Sequence, residues 1–157
     1  MDKKKIIIII IVSFLLLKFL KKMFMEEKEN KGNYTIDDAK NAILNVQKIY
    51  GTEMAKIVEK MYRLETAHFK SSQFVLTGTA GMEQGKWSNV PKLDTIPLKD
   101  PILGMRDYLI WNPKDFAVYL AEYIKRFDGN FARWNSTNTT RQSEYRKRVN
   151  SINNKFV

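Results

Sequence analysis

The sequence contains no cysteine, which excludes disulfide staples, thiolate catalysis and cysteine-based zinc sites. It has a single histidine, His68, too few for a His-rich metal centre. No metal or cofactor is therefore expected. There is no internal repeat and no low-complexity tract beyond one isoleucine run. Acidic residues are the minority, 17 against 27 Lys and Arg, for a formal net charge of +10.

What is present suits one globular domain. The chain has 157 residues, 44% of them apolar, with 3 Trp, 9 Phe and 7 Tyr. That is enough large side chain to build a core. The charge is unevenly placed: +4 over residues 1–31, +1 over 32–120 and +5 over 121–157. A near-neutral body between two basic ends argues against nucleic-acid binding, which favours a basic face throughout. It suits a membrane-facing start and a polyanion-facing end.

The start carries the one long hydrophobic run. Lys3, Lys4 and Lys5 precede Ile6–Leu17, and the apolar character continues to Met25 with Lys18, Lys21 and Lys22 interspersed. A bilayer-spanning helix needs about 20 residues, and lysine stems reach the interface from near its end. No small-residue cleavage pattern follows, so residues 1–25 read as an uncleaved membrane anchor rather than a signal peptide. Lysines flank both sides and leave the orientation open. Residues 26–33 contain no apolar side chain and read as a polar tether. Residues 34–157 are then the folded domain.

In the domain, Thr35 caps a helix with Asp37 and Asp38 in its first turn, Ala39, Ile43, Val46 and Tyr50 on one stripe, and Gly51 as its stop. Thr52 caps a second helix with the stripe Met54, Val58, Met61 and Glu65. Residues 71–99 are rich in Ser, Thr, Gly and Pro and predict a small β-hairpin or loop lobe, with strands over Gln73–Thr77 and Lys86–Val90. Helices are expected over Ile102–Trp111, from Asn112-Pro113 to about Phe127 with Asp128-Gly129-Asn130 as its stop, and over Thr140–Asn153. The expected fold is mostly α, helical with a small β lobe.

Glu65 is the most informative residue. A carboxyl closing an apolar stripe is partly desolvated, and desolvation raises its pKa. A carboxylic acid protonated near neutral pH is what glycosidic cleavage needs to protonate the leaving oxygen. The simpler alternative is a helix-end Glu paired with Arg63, Lys60 or a distant cation.

The stretch Glu65-Thr66-Ala67-His68-Phe69-Lys70-Ser71 resembles the Glu-Ser-Gly-x-x-x-Ser segment of lysozyme-like glycosidases. It is most similar to bacterial N-acetylglucosaminidases and soluble lytic transglycosylases. Gly81-Met82 resembles the Gly-Ile or Gly-Leu-Met after the catalytic turn. Arg106-Asp107-Tyr108 resembles an Asp-Tyr helix start, and Gly129–Trp134 followed by Tyr145 resembles the late loop and helix closing the sugar groove. The resemblance spans about residues 40–152. It departs from the pattern at Ala67 and His68, and Thr79-Ala80-Gly81 stands for a longer Asn-Leu-Phe-Gly run. It implies a lysozyme-like α+β fold and a catalytic Glu65 facing a groove.

A second carboxylate decides the mechanism, with Glu83, Asp94 and Asp100 in the loop-rich lobe as candidates. Without one, the resemblance to lytic transglycosylases implies assistance by the sugar N-acetyl group and an anhydro-sugar product. Trp87, Trp134, Tyr108 and Tyr145 are candidate sugar-binding aromatics, although Tyr145 also fits the core stripe of the last helix. His68 reads as a surface or capping residue. Arg141, Arg146, Lys147 and Arg148 form a basic face suited to an anionic wall or lipid.

The expected protein is a membrane-anchored peptidoglycan glycosidase with Glu65 as general acid and base, of lysozyme, glucosaminidase or lytic transglycosylase type. Its expected partners are bacterial peptidoglycan, the bilayer through residues 6–25, and other virion proteins. Its small size suggests a bacteriophage enzyme for host penetration or lysis. It would sit in a virion internal membrane or the bacterial inner membrane, with the catalytic domain facing the wall. The alternative is a non-enzymatic membrane-anchored scaffold or nucleic-acid-binding virion protein using the basic last helix.

Overall fold

Thr35 opens helix α1 (Ile36–Tyr50) with a capping box, accepting from the Asp38 amide at 3.3 Å while Asp38 accepts from the Thr35 amide at 2.7 Å. In the computed structural model, which describes residues 32–87 and 90–157, four further α-helices and a two-stranded sheet follow. The anchor at 6–25 and all but the last two residues of the tether lie outside the described residues. No helix among the described residues is long and apolar enough to cross a membrane.

Gly51, at φ 87°, ends α1 and leads directly into α2 (Thr52–Glu65). Thr52, the expected cap, is instead the first helical residue, and no side chain caps this start. The two stripes meet helix α4 (Pro113–Arg126), which Asn112 caps by accepting from the Lys114 amide at 2.8 Å. Ile43, Val46, Val58, Met61, Tyr62, Phe116, Leu120 and Ile124 make the centre of the core, none more than 1% exposed. Each such side chain contributes roughly 1.5–3 kcal/mol through burial.

The segment expected as strand at Gln73–Thr77 is instead the short helix α3 (Ser72–Thr77). Its β-branched composition is overridden by its ends. Ser71 caps it by accepting from the Phe74 amide at 3.1 Å, and Gly78 stops it at φ 68°. Lys86 and Trp87, also expected in a strand, are irregular.

The sheet is built further along, from β1 (Thr95–Asp100) and β2 (Gly104–Leu109), paired antiparallel with Thr95 opposite Leu109. The helix expected over Ile102–Trp111 is therefore corrected to a turn and a strand. Asp100 makes the turn by accepting from the Ile102 and Leu103 amides at 2.8 and 2.7 Å. Gly104 supplies the positive φ of 78° at which β2 starts. Arg106-Asp107-Tyr108, expected to start a helix, lies within β2. Glu83 adds an isolated bridge to Tyr108, and the Leu109 amide bonds Met82 at 2.9 Å, so the hairpin base is tied to the 82–84 segment.

After α4 the chain turns through Asp128 and Gly129 into a 3-10 helix (Phe131–Trp134). Helix α5 (Thr139–Asn150) follows, capped by Asn138, which accepts from the Arg141 amide at 3.1 Å. It ends before Ile152 and Phe156, which belong to a tail rather than to the helix.

Candidate functional site

Glu65 is the last residue of α2, and the backbone beyond it reverses at once. Ala67, His68 and Phe69 have φ of 48°, 59° and 67°. Left-handed backbone costs a residue with a β-carbon roughly 1–2 kcal/mol. Thr66 holds the turn from inside. Its hydroxyl donates to the Tyr62 carbonyl at 2.5 Å and accepts from the Phe69 amide at 3.0 Å. The Ser71 amide returns to the Thr66 carbonyl at 3.0 Å. His68 is exposed on this turn.

Two hollows meet at the end of α2, and Glu65 and Gly81 line both. The first, about 290 Å³, is completed by Ala80, Glu83, Lys86, Trp87, Trp134 and Asn135. The second, about 440 Å³, is completed by Ser71, Ser72, Gln73, Leu98, Lys99, Asp100, Pro101 and Tyr108. Glu65 thus stands where a hollow walled by two tryptophans joins one of mixed polar and apolar lining.

The carboxyl is neither neutralised nor fully solvated. Burial pushes its pKa above the ordinary carboxylate value, and the Tyr145 hydroxyl and the Arg148 charge oppose that only in part. The Tyr145 hydroxyl is buried and makes no hydrogen bond within 3.5 Å, yet it lies near enough to Glu65 for each to perturb the other. It is a donor beside the carboxyl rather than one bonded to it. Arg63, the nearest cation in sequence, is spent elsewhere, since its Nε donates to Glu59 at 2.7 Å. Glu65 has no ion-pair partner among the described residues.

Of the candidate second carboxylates, Glu83 lines the first hollow and pairs with Lys86 at 2.7 Å. Asp100 lines the second, and the Leu103 and Ile102 amides hold its pKa below the ordinary value. Asp94 lines neither hollow; its carbonyl accepts from the Ile110 amide at 2.8 Å. The structure thus places Glu83, but not Asp94, in the groove with Glu65.

Trp87 and Trp134 both line the first hollow, with ring centroids 4.5 Å apart. They also pack on α4, since Trp134 meets Tyr123 edge-on at 5.3 Å and Trp87 meets Tyr119 at 6.5 Å. Groove wall and lobe packing are therefore one arrangement. Tyr108 is a wall of the second hollow. Tyr145 is 2% exposed and stands behind Glu65 rather than in the groove.

Sequence reasoning missed Gln73. Its amide nitrogen donates to Thr77 at 2.9 Å and to the Thr79 hydroxyl at 3.1 Å, while its oxygen accepts from the Gly81 amide at 3.1 Å. One side chain thereby holds the Gly81 loop against the second hollow. Mistaking α3 for a strand concealed it. No group of three or more His, Asp or Glu able to hold a metal occurs among the described residues.

Comparisons of the chain with protein-family models, with curated proteins and with solved structures find no match.

Proposed function

We propose that the domain is a lysozyme-like glycosidase that cleaves the glycan strands of peptidoglycan, with Glu65 as general acid. The observation that carries this reading is the half-buried carboxyl of Glu65, shared by two adjoining hollows and lacking an ion-pair partner among the described residues. A polymer lying across both hollows would place one linkage at their junction, beside the group whose pKa is raised. Protonation of the leaving oxygen by Glu65 then breaks the bond. The Trp87 and Trp134 rings offer flat faces to a sugar on one side, and Gln73, Asp100 and Tyr108 offer polar groups on the other.

After bond cleavage the oxocarbenium-like centre needs an electron pair. Glu83 is the carboxylate in the first hollow for that role, directly or through water. The alternative donor is the sugar's own N-acetyl oxygen, with Glu65 returning as base and a 1,6-anhydro end as product. The reading includes attachment to a bilayer through residues 6–25 and action on a bacterial wall during phage penetration or lysis.

A peptidoglycan zymogram of the 26–157 fragment tests it. Clearing is expected from the wild type and none from Glu65→Gln. Mass spectrometry of the products then separates reducing GlcNAc, reducing MurNAc and anhydro-MurNAc ends. A folded wild-type fragment that clears nothing would reject the glycosidase in favour of a scaffold.

A further inference from the structure

Glu59 is fully buried and takes no part in the groove. Helical geometry sets Glu65 about 160° round the axis from Arg63, so Glu59 and Arg63 face away from the hollows. Four donors converge on the Glu59 carboxylate. Arg63 Nε lies at 2.7 Å, Asn154 Nδ2 at 3.0 Å, the Lys155 amide at 2.8 Å and the Phe156 amide at 3.2 Å. Three of the four come from the tail after α5, so a segment almost a hundred residues away in sequence is tied to the middle of α2.

The same tail reaches the turn beyond Glu65. The Phe156 ring stacks on Phe69 with centroids 5.8 Å apart and planes at 16°. The Arg63 guanidinium sits over both rings, 4.2 Å from the Phe156 centroid and 5.0 Å from that of Phe69. Phe69 is the last of the three left-handed residues, and the turn closes on α2 through the His68 amide, 2.7 Å from the Arg63 carbonyl. Three consecutive strained residues persist only when their surroundings over-determine them. Here those surroundings include the tail.

We propose that Asn154–Phe156, clasped by Glu59 and Arg63, form a latch that holds the left-handed turn shut and thereby positions Glu65 between the two hollows. Glu59, Arg63 and Phe156 are positioning residues, with no contact to substrate. The catalytic consequence rests on the glycosidase reading, but the latch itself does not.

Phe156→Ala is the test, read by amide exchange and by carbon-detected NMR titration of Glu65. Loss of the ring should speed exchange at His68 and Ser71 about tenfold while leaving Ile43 and Val46 in α1 unchanged. It should also move the Glu65 pKa toward the ordinary carboxylate value as the loosened turn admits water. In glycan cleavage, kcat should fall about tenfold with KM nearly unchanged, because no groove wall is altered.

Unchanged exchange at His68 and Ser71, with an unchanged Glu65 titration, would overturn the latch. So would a uniform rise at every amide, which would make the tail a support of the whole fold. Phe156→Leu keeps apolar volume without the ring stack and gives the same comparison if the alanine variant does not fold. If exchange and titration respond as expected but the wild type cleaves no glycan, the latch stands and the enzymatic reading falls.

Discussion

Glu59 and Arg63, one turn apart on α2, form a buried ion pair at 2.7 Å that takes away the cation closest in sequence to Glu65. Two carboxylates on one helix are thereby driven in opposite directions. Burial tends to raise Glu59, but donors from Asn154, Lys155, Arg63 and Phe156 outweigh it and hold its pKa below the ordinary value. Glu65 has no such set of donors, and burial raises it.

Replacement of Glu65 by Gln should abolish glycan cleavage and increase stability at neutral pH. The folded pKa is raised above the unfolded one, so ionisation of Glu65 costs stability progressively as pH rises from the unfolded value through the folded value. The Tm of Glu65→Gln should exceed that of the wild type at pH 7. Below the unfolded carboxylate range, where both states are protonated, that pH-dependent advantage should vanish. Thermal melts at pH 3 and pH 7 check both signs.

Glu59 should behave in the opposite way. Its depressed pKa contributes stability above the unfolded carboxylate value, and that contribution is lost as pH falls through the folded pKa. Removing one member of a buried pair costs about 3–5 kcal/mol because the other charge stays buried. Urea unfolding of Glu59→Ala should show a loss of that size at pH 7, and a smaller one at pH 3.

Gly78 should tolerate no side chain. At φ 68°, a β-carbon there would lie 2.2 Å from the Trp111 carbonyl oxygen and 2.8 Å from the Tyr34 ring. The Gly78 carbonyl also accepts from the buried Tyr62 hydroxyl. Gly85 has a similar φ of 83° with open space around it. Gly85→Ala should cost about 1–2 kcal/mol, the conformational penalty alone. Gly78→Ala should cost clearly more, with backbone displaced at Trp111. Denaturant melts of the two variants give the comparison.

Ala67→Gly should stabilise the turn after Glu65. Ala67 sits at φ 48° and is exposed, so the change relieves strain without opening a cavity. The gain should be about 1 kcal/mol after the extra chain entropy of glycine is subtracted. A fall in stability would mean that the left-handed backbone costs Ala67 less than the extra chain entropy of glycine.

Trp134→Ala should weaken glycan binding and also stability, because the ring both lines the first hollow and packs on Phe116 and Tyr123. Deleting a packed aromatic side chain costs about 3–5 kcal/mol when it is fully buried, and less for this partly exposed ring. Titration with chitooligosaccharides and a parallel melt separate the two effects. Intact affinity in the folded variant would remove Trp134 from the groove.

The helices were legible because their signals are local. Thr35, Gly51, Asn112-Pro113 and Asp128-Gly129 mark boundaries through backbone conformation and hydrogen bonds within a few residues, and the stripes of α1, α2 and α4 declare their buried faces. The sheet was not legible. Residues 102–111 have the apolar content of a helix, and only pairing with β1 makes Gly104–Leu109 a strand. At Ser72–Thr77 the cap and stop were present, but β-branched residues suggested the wrong element.

By itself the sequence determined that no thiol chemistry is available, that Glu65 ends an apolar helical stripe, and that the basic charge lies at the two ends of the chain. Tertiary structure alone decided which carboxylates share a groove, since Glu83 and Asp100 reach it through loop closure and strand pairing while Asp94 does not. It also gave Glu59 its tail partners 95 to 97 residues away. The physical reason is distance along the chain: periodicity and caps report on neighbours within a turn or two, whereas desolvation and charge pairing depend on segments brought together only by folding.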